Sequence, residues 1–385
     1  MADKLVWAQV MRPKIPLVNL DLNHIVAMAR VRTGHPKAVQ AYGRLFESAR
    51  RAACERRAIF PLSESHVWES AKIVDPKQRR ALADVLEPLT GYQYMLGRPT
   101  LGHLEFIAGI ASITGEPLPD ELGYPLIRST IGHAFGLVGG LKIVDEHGNG
   151  KTEDFRRATG TVEFDRTMAE FNFKLEHDAL RGPADDEVDD LRNQYGYRPE
   201  IPLATHESRV GFERDTARVL KENPKLRRGR LRDLIAAREF VHEWLDMFTR
   251  IRIERINAGR PAFEPTDDQM RILLASMPHA QVAISMKTRF HQNPAHVWKS
   301  NHVTDIDAMS VAYAYCDAVF TDKEVRSALL DSPELRVLPT FVPRHVEELA
   351  DWLDQLPARV APDMLVPHPL PHESLTVGRR NHSRS

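Results

Sequence analysis

The stretch Asn301–Lys323 (NHVTDIDAMSVAYAYCDAVFTDK) constrains the fold more than any other part of the chain. Four aspartates, Asp305, Asp307, Asp317 and Asp322, fall within eighteen residues. Between them Ile306, Met309, Ala312, Tyr313 and Cys316 recur at helical spacing. Ala318-Val319-Phe320 then makes a short apolar run closed by Thr321-Asp322. The pattern predicts a helix with an acid at its start, a tight turn, and a buried strand with another acid at its end. Carboxylates fixed on the ends of buried elements are costly unless they bind something, usually a cation.

Near the beginning of the chain the same grammar recurs. Ile15–Leu20 is an apolar run of strand length, and Asp21-Leu22-Asn23-His24 leads into a helical pattern through Ile25, Met28 and Ala29. Function collects at the carboxyl end of a parallel strand beside the next helix, and Asp21 occupies that corner. A simple helix cap is the plain alternative for Asp21 or Asn23. A second apolar segment, Ala58–Leu62, precedes Ser63, which reads as the cap of a helix carrying Glu64 and Glu69. Acids in a first turn are also favoured by the helix dipole alone. Carboxylates at equivalent corners, without accompanying His or Cys, suit a hard cation such as Mg2+ or Mn2+ held by oxygen ligands. Such ions stabilise the attacking hydroxide and the leaving oxyanion in phosphodiester hydrolysis.

Fifty-two basic and fifty-three acidic side chains leave a net charge of -1, so no global field recruits nucleic acid. Local patches must do so. Lys225–Arg232, with Arg227, Arg228 and Arg230, is the most basic segment, and Lys287 and Arg289 precede the acidic stretch. A run of charge of this kind usually faces water; contact with a phosphate backbone is the sharper reading. Two cysteines cannot form a disulfide framework, which predicts a reducing, cytoplasmic setting. The most apolar region, Leu101–Val144, is broken by charges and predicts buried helices, with no membrane partner. No histidine pair has zinc-finger or HExxH spacing, and Gly150-Lys151-Thr152 lacks the first glycine of a phosphate loop, where Asp145 stands. Val74–Ser285 reads as mostly helical, with a surface loop over Gly182–Pro199. Thr266 caps a short helix, Pro278 opens another, Leu335–Leu338 reads as a last strand, and Pro343–Leu356 as an amphipathic helix. From Pro362 onward the composition predicts a disordered tail.

Three pieces, LDLNH at Leu20–His24, PLSESHVWES at Pro61–Ser70 and the acidic stretch from Asn301, together resemble the PIN-domain or PIN-like superfamily of metal-dependent nucleases. The resemblance implies an α/β fold: a doubly wound, mainly parallel sheet with a large α-helical insertion. Residues 1–75 and 278–360 would form the PIN-like domain, 76–277 the insertion and 361–385 the tail. It implies metal ligands at Asp21, Glu69 (with Glu64 as rival), Asp305 and Asp322, and Asp307 as an auxiliary ligand or water-orienting group. A helix starting at Asp305 puts Asp317 about 16 Å from its start, so a structural turn is favoured there, with a site role second. The implied activity is a Mg2+- or Mn2+-dependent nuclease acting on RNA, with single-stranded DNA as the alternative substrate. The insertion departs from the single-domain toxin ribonucleases and offers a protein-partner surface or lid. A non-catalytic PIN-like scaffold that binds RNA or protein is the competing reading. A haloacid-dehalogenase-type phosphatase ranks low, because Asn23 stands where the second Asp of its DxDx[TV] motif belongs.

Overall fold

The computed structural model describes residues 5–73, 75–118, 123–137, 142–183, 186–195, 200–358 and 365–369. It shows a mixed α/β protein in which helices predominate. In chain order β1 (Val10–Pro13) and β2 (Val18–Leu20) precede α1 (Leu22–Arg32), α2 (Ala41–Cys54), α3 (Glu64–Ala71) and α4 (Pro76–Thr90). Then come β3 (Tyr94–Met95), α5 (Arg98–Thr114), β4 (Tyr124–Pro125), β5 (Ile127–Arg128), α6 (Ile131–Ala134), α7 (Thr152–Thr159), α8 (Thr161–Arg181) and α9 (Val188–Tyr195). α10 (Glu200–Glu222), α11 (Leu231–Glu239), a π turn at Phe240–Trp244, α12 (Leu245–Asn257) and α13 (Asp267–Ser276) follow. The chain closes with α14 (Pro278–Gln292), α15 (Ser300–Tyr315), β6 (Ala318–Phe320), α16 (Lys323–Leu330), α17 (Val346–Gln355) and β7 (Leu365–Pro367).

Among the described residues the strands do not join into one doubly wound sheet. They make three small sheets, ordered β4-β1-β7, β2-β6 and β3-β5. The sequence signal for strands was local and the runs are only two to four residues long, too short to propagate a wide ladder. The pair that matters is β2 with β6, parallel and in the register Val18–Ala318, Asn19–Val319, Leu20–Phe320. Single parallel bridges extend it on each side, Leu17 to Ile59 and Ala318 to Phe341. Alternation assigns its faces. Val18, Leu20, Ala318 and Phe320 pack with apolar residues of α1, α2, α4 and α17, whereas Leu17 and Val319 pack with those of α14 and α15.

The helical segment 76–277 shares its core with the rest of the chain. Leu101, Leu104 and Val210 pack with Val282, Met286 and Ile306, and Phe106, Leu231 and Trp244 with Ala280 and Ile284. Three local expectations change. Gly182–Pro199 contains helix α9, and Leu335–Leu338 is no strand, because Pro333–Val337 winds as a 3-10 turn. Part of the expected tail is ordered: Leu365–Pro367 pairs antiparallel with β1, while 361–364 and 370–385 lie outside the described residues. No helix among the described residues is long and apolar enough to cross a membrane.

Candidate metal centre

Asp21 leaves the carboxyl end of β2 with its N–H donated to Phe320 O (2.9 Å). Its Oδ1 accepts the Asn23 N–H (2.9 Å), capping α1, and its Oδ2 accepts the Thr321 hydroxyl (3.2 Å). Cap and ligand are compatible roles here, because an ionised carboxylate has about four acceptor positions and two are used. On the neighbouring strand end Asp322 caps α16, its Oδ1 accepting from Val325 N (2.9 Å). Parallel pairing of β2 with β6 therefore sets Asp21 beside Thr321, the chain neighbour of Asp322, three hundred residues away in sequence.

Glu69 arrives on α3, and His66 seats that helix. Its Nε2 meets Leu20 O at 2.7 Å and its Nδ1 meets Ser63 N at 3.1 Å. A carbonyl only accepts, so Nε2 carries the proton and Nδ1 takes the backbone N–H. Burial holds the His66 imidazole below its usual pKa, which keeps it in that neutral form. Asp305 arrives on α15. The helix begins at Ser300, not at Asp305, with Lys299 N donating to His302 Nδ1 (3.2 Å), so Asp305 sits in the second turn.

These acids feel one another. Burial and then the charge of Asp21 push the Glu69 carboxyl up to about 7. Burial and then Asp21, Glu69 and Asp322 push Asp305 up to about 8. A narrow cleft is lined by Asn19, Asp21, Glu69 and Asp305. Glu69 and Asp305 also border a wider cavity of about 380 Å³, walled by Asp322, Lys72, Lys299 and His302. Alternation turns Asn19 toward α15; it is 2% exposed and its Oδ1 has no hydrogen-bond partner. A buried orphan acceptor among mutually repelling carboxylates fits a hard cation, which would satisfy both at once. Among the described residues the group whose ligand atoms lie within 4.8 Å of one another is His296, His302 and Glu324; no three of these acids approach so closely. An ion held among the acids would therefore keep part of its water shell, as Mg2+ does.

Other expected site residues are placed elsewhere. Asp307 follows Asp305 by two positions and therefore points to a different face of α15. Burial alone would raise its carboxyl, but Arg209 and Arg98 outweigh this and hold it low. Its contacts are Arg209 (2.5 and 2.8 Å) and Arg98 (3.1 Å), so it is neither a free ligand nor a water-orienting group. Glu64 goes with it: it accepts from Trp68 Nε1 (3.1 Å) and lines a small void with Arg98 and Asp307. Between the rivals on α3, only Glu69 faces the acids. Asp317 is locked to Arg12 and accepts the Leu17 N–H (2.7 Å), at the opposite end of β6 from Asp322. Asn23 is exposed on the rim of the wider cavity.

Among the expected phosphate contacts, Lys287 is corrected outright. It is 3% exposed, and its Nζ meets Glu239 (2.6 Å) and Glu213 (2.8 Å), because α14 is buried all round. Arg227 folds back onto Leu220 O and His291 O, and Arg289 pairs with Asp331 at 3.3 Å. Arg228 and Arg230 are exposed. The cations that share the cavity with the acids are Lys72 and Lys299, which the sequence reading passed over because each stands alone rather than in a basic run. Asn19 was missed as well; a polar residue in the middle of an apolar strand was the available signal. No protein-family model, curated protein or solved structure matches this chain.

Proposed function

We propose that the protein is a PIN-like, divalent-metal-dependent nuclease that hydrolyses RNA. The observation that carries this reading is the gathering of Asp21, Glu69, Asp305 and Asp322 from two strand ends and two helices around one cleft and cavity. Asp21, Asp305 and Asp322, with Glu69 and Asn19 Oδ1, would hold Mg2+ or Mn2+. Such an ion would supply charge neutralisation at a phosphodiester and acidify a water for attack. The chain supplies the rest. Thr321 and the Asn23 N–H fix the Asp21 carboxylate, so it need not reorganise when charge develops. Lys72 and Lys299, on the cavity wall, attract the phosphate and hold its oxygens. Glu69 and Asp305 keep their protons to about 7 and about 8 in the metal-free protein and would release them on binding the ion.

The test compares wild type with Asp21→Asn on an end-labelled, mixed-sequence single-stranded RNA in Mn2+ and in EDTA. Cleavage by the wild type in Mn2+ alone, lost in a variant that remains folded, is the expected result. Equal cleavage by the variant overturns the assignment. RNA binding by the wild type without cleavage under any divalent ion would favour a non-catalytic PIN-like scaffold.

A further inference from the structure

We propose a second, nitrogen-liganded cation site for a zinc-class ion, formed by His296, His302 and Glu324 at the mouth of the acid-lined cavity. The three come from separate elements: the turn after α14, the first turn of α15 and the first turn of α16. One ligand atom from each lies within 4.8 Å of the other two. Ligands about 2.0–2.2 Å from a tetrahedral zinc stand roughly 3.3–3.5 Å apart, so the trio need close by no more than about 1.5 Å. Glu324 can make that movement, since its side chain is 60% exposed.

The second indication is His296 itself. Its side chain is 8% exposed, its Nδ1 stands 3.7 Å from Glu324 Oε1, and its Nε2 is buried without a hydrogen-bond partner. Burying an imidazole with a ring nitrogen unsatisfied is costly unless something completes it. Aromatic walls hold the ring in place: Phe290 stacks on it at 4.8 Å with planes 1° apart, and Trp298 meets it edge-on at 5.1 Å. His302 lies alongside with ring centroids 4.5 Å apart. Burial lowers the pKa of both histidines, leaving neutral imidazoles. A neutral imidazole has one lone pair, and that of His302 now accepts the Lys299 N–H at 3.2 Å. Ligation gives up this long capping bond, a loss small beside the free energy of binding zinc.

Donor chemistry separates this site from the acid cluster. Imidazole with one carboxylate selects zinc-class ions, whereas an all-oxygen set suits Mg2+ or Mn2+. Its place gives it a task. His302 precedes Asp305 by three residues and Glu324 follows Asp322 by two, so an ion joining them clasps the start of α15 to the start of α16. That clasp fixes the separation of the two acids that face the cavity.

The experiment is calorimetric titration of tag-free, EDTA-stripped full-length protein with Zn2+, repeated with Co2+ while following its visible absorption. The wild type is expected to take up one tight equivalent, with the intense bands of low-coordinate Co2+. His296→Ala and His302→Ala should each weaken uptake by at least about tenfold while urea unfolding shows them folded. Asp21→Asn should leave it intact. Unchanged uptake in both histidine variants, or loss in Asp21→Asn alone, overturns the site. Intact Zn2+ uptake in a wild type with no Mn2+ response would instead sink only the nuclease reading.

Discussion

Replacing Asp305 by Asn should stabilise the metal-free protein while removing its response to metal. Asp305 is held up at about 8 from an ordinary 3.8, by burial first and then by Asp21, Glu69 and Asp322. A raised carboxyl contributes nothing adverse below pH 4, where folded and unfolded chains both carry the proton. As pH rises from 4 toward 8 the unfolded chain releases the proton and the folded chain keeps it, so stability falls with pH. The loss by pH 7 from this one group is on the order of 4 kcal/mol, at about 1.36 kcal/mol per pH unit. Asn has no proton to lose and is spared it.

In EDTA, urea midpoints of wild type and Asp305→Asn should therefore lie close together at pH 4 and diverge by pH 7.5, the variant unfolding later. Saturating Mn2+ should reverse part of this, because a ligand at about 100 times its Kd adds about 2.7 kcal/mol to the protein that binds it and nothing to one that does not. The assay is intrinsic tryptophan fluorescence against urea at both pH values, with and without Mn2+. A variant less stable than wild type in EDTA at pH 7.5 would show that the acids do not repel as the geometry requires. An equal gain from Mn2+ in both proteins would show that Asp305 is not a ligand.

With Asp305 and Glu69 protonated up to about 8 and about 7, Mn2+ must displace protons to bind. Its apparent affinity should climb by about tenfold per pH unit for each proton displaced and level off above pH 8, as read by thermal shift or calorimetry. Lys287→Met removes the cation that Glu213 and Glu239 share, leaving Glu239 to Arg98 and Glu213 to His291, and should cost about 3 kcal/mol in urea unfolding; its RNA affinity per folded molecule should not change. Lys72→Ala and Lys299→Ala should each weaken RNA binding and reduce the slope of log affinity against log salt by about one, in fluorescence anisotropy across a salt series. An unchanged slope in both would remove them from the substrate path.

What could be read from the sequence was what depends on near neighbours. Asp21 and Asp322 each follow an apolar strand and open a helix, and Thr266 caps α13 with Gln269, all within a few residues. Which of Glu64 and Glu69 faces the acids could not be read, because the decision belongs to His66, whose partner Leu20 lies 46 residues away. Nor could the burial of Lys287, whose partners Glu213 and Glu239 are on α10 and α11. The histidine trio was hidden for a related reason: its spacings of six and twenty-two residues match no linear motif, and only the meeting of three element ends creates it.

One helix joins the acid-lined cavity to the helical segment 76–277. α15 offers Asp305 to the cavity on one face and Asp307, two residues later, to Arg98 of α5 and Arg209 of α10 on another. Both arginines also pair with Glu243 in the π turn, and Arg98 with Glu239 on α11. Glu239 in turn holds Lys287 of α14. Each of these charges is largely withdrawn from water, so none can leave its partners cheaply, and a rotation of α15 would strand several together. Such a network contributes less to stability than an apolar core of the same volume would, but it tolerates fewer arrangements. The helical segment 76–277 thereby fixes the rotation of α15, and with it the direction in which Asp305 points. That makes the segment part of the scaffold of the acid cluster, whatever it also contacts, and it accounts for two neighbouring aspartates with opposite roles.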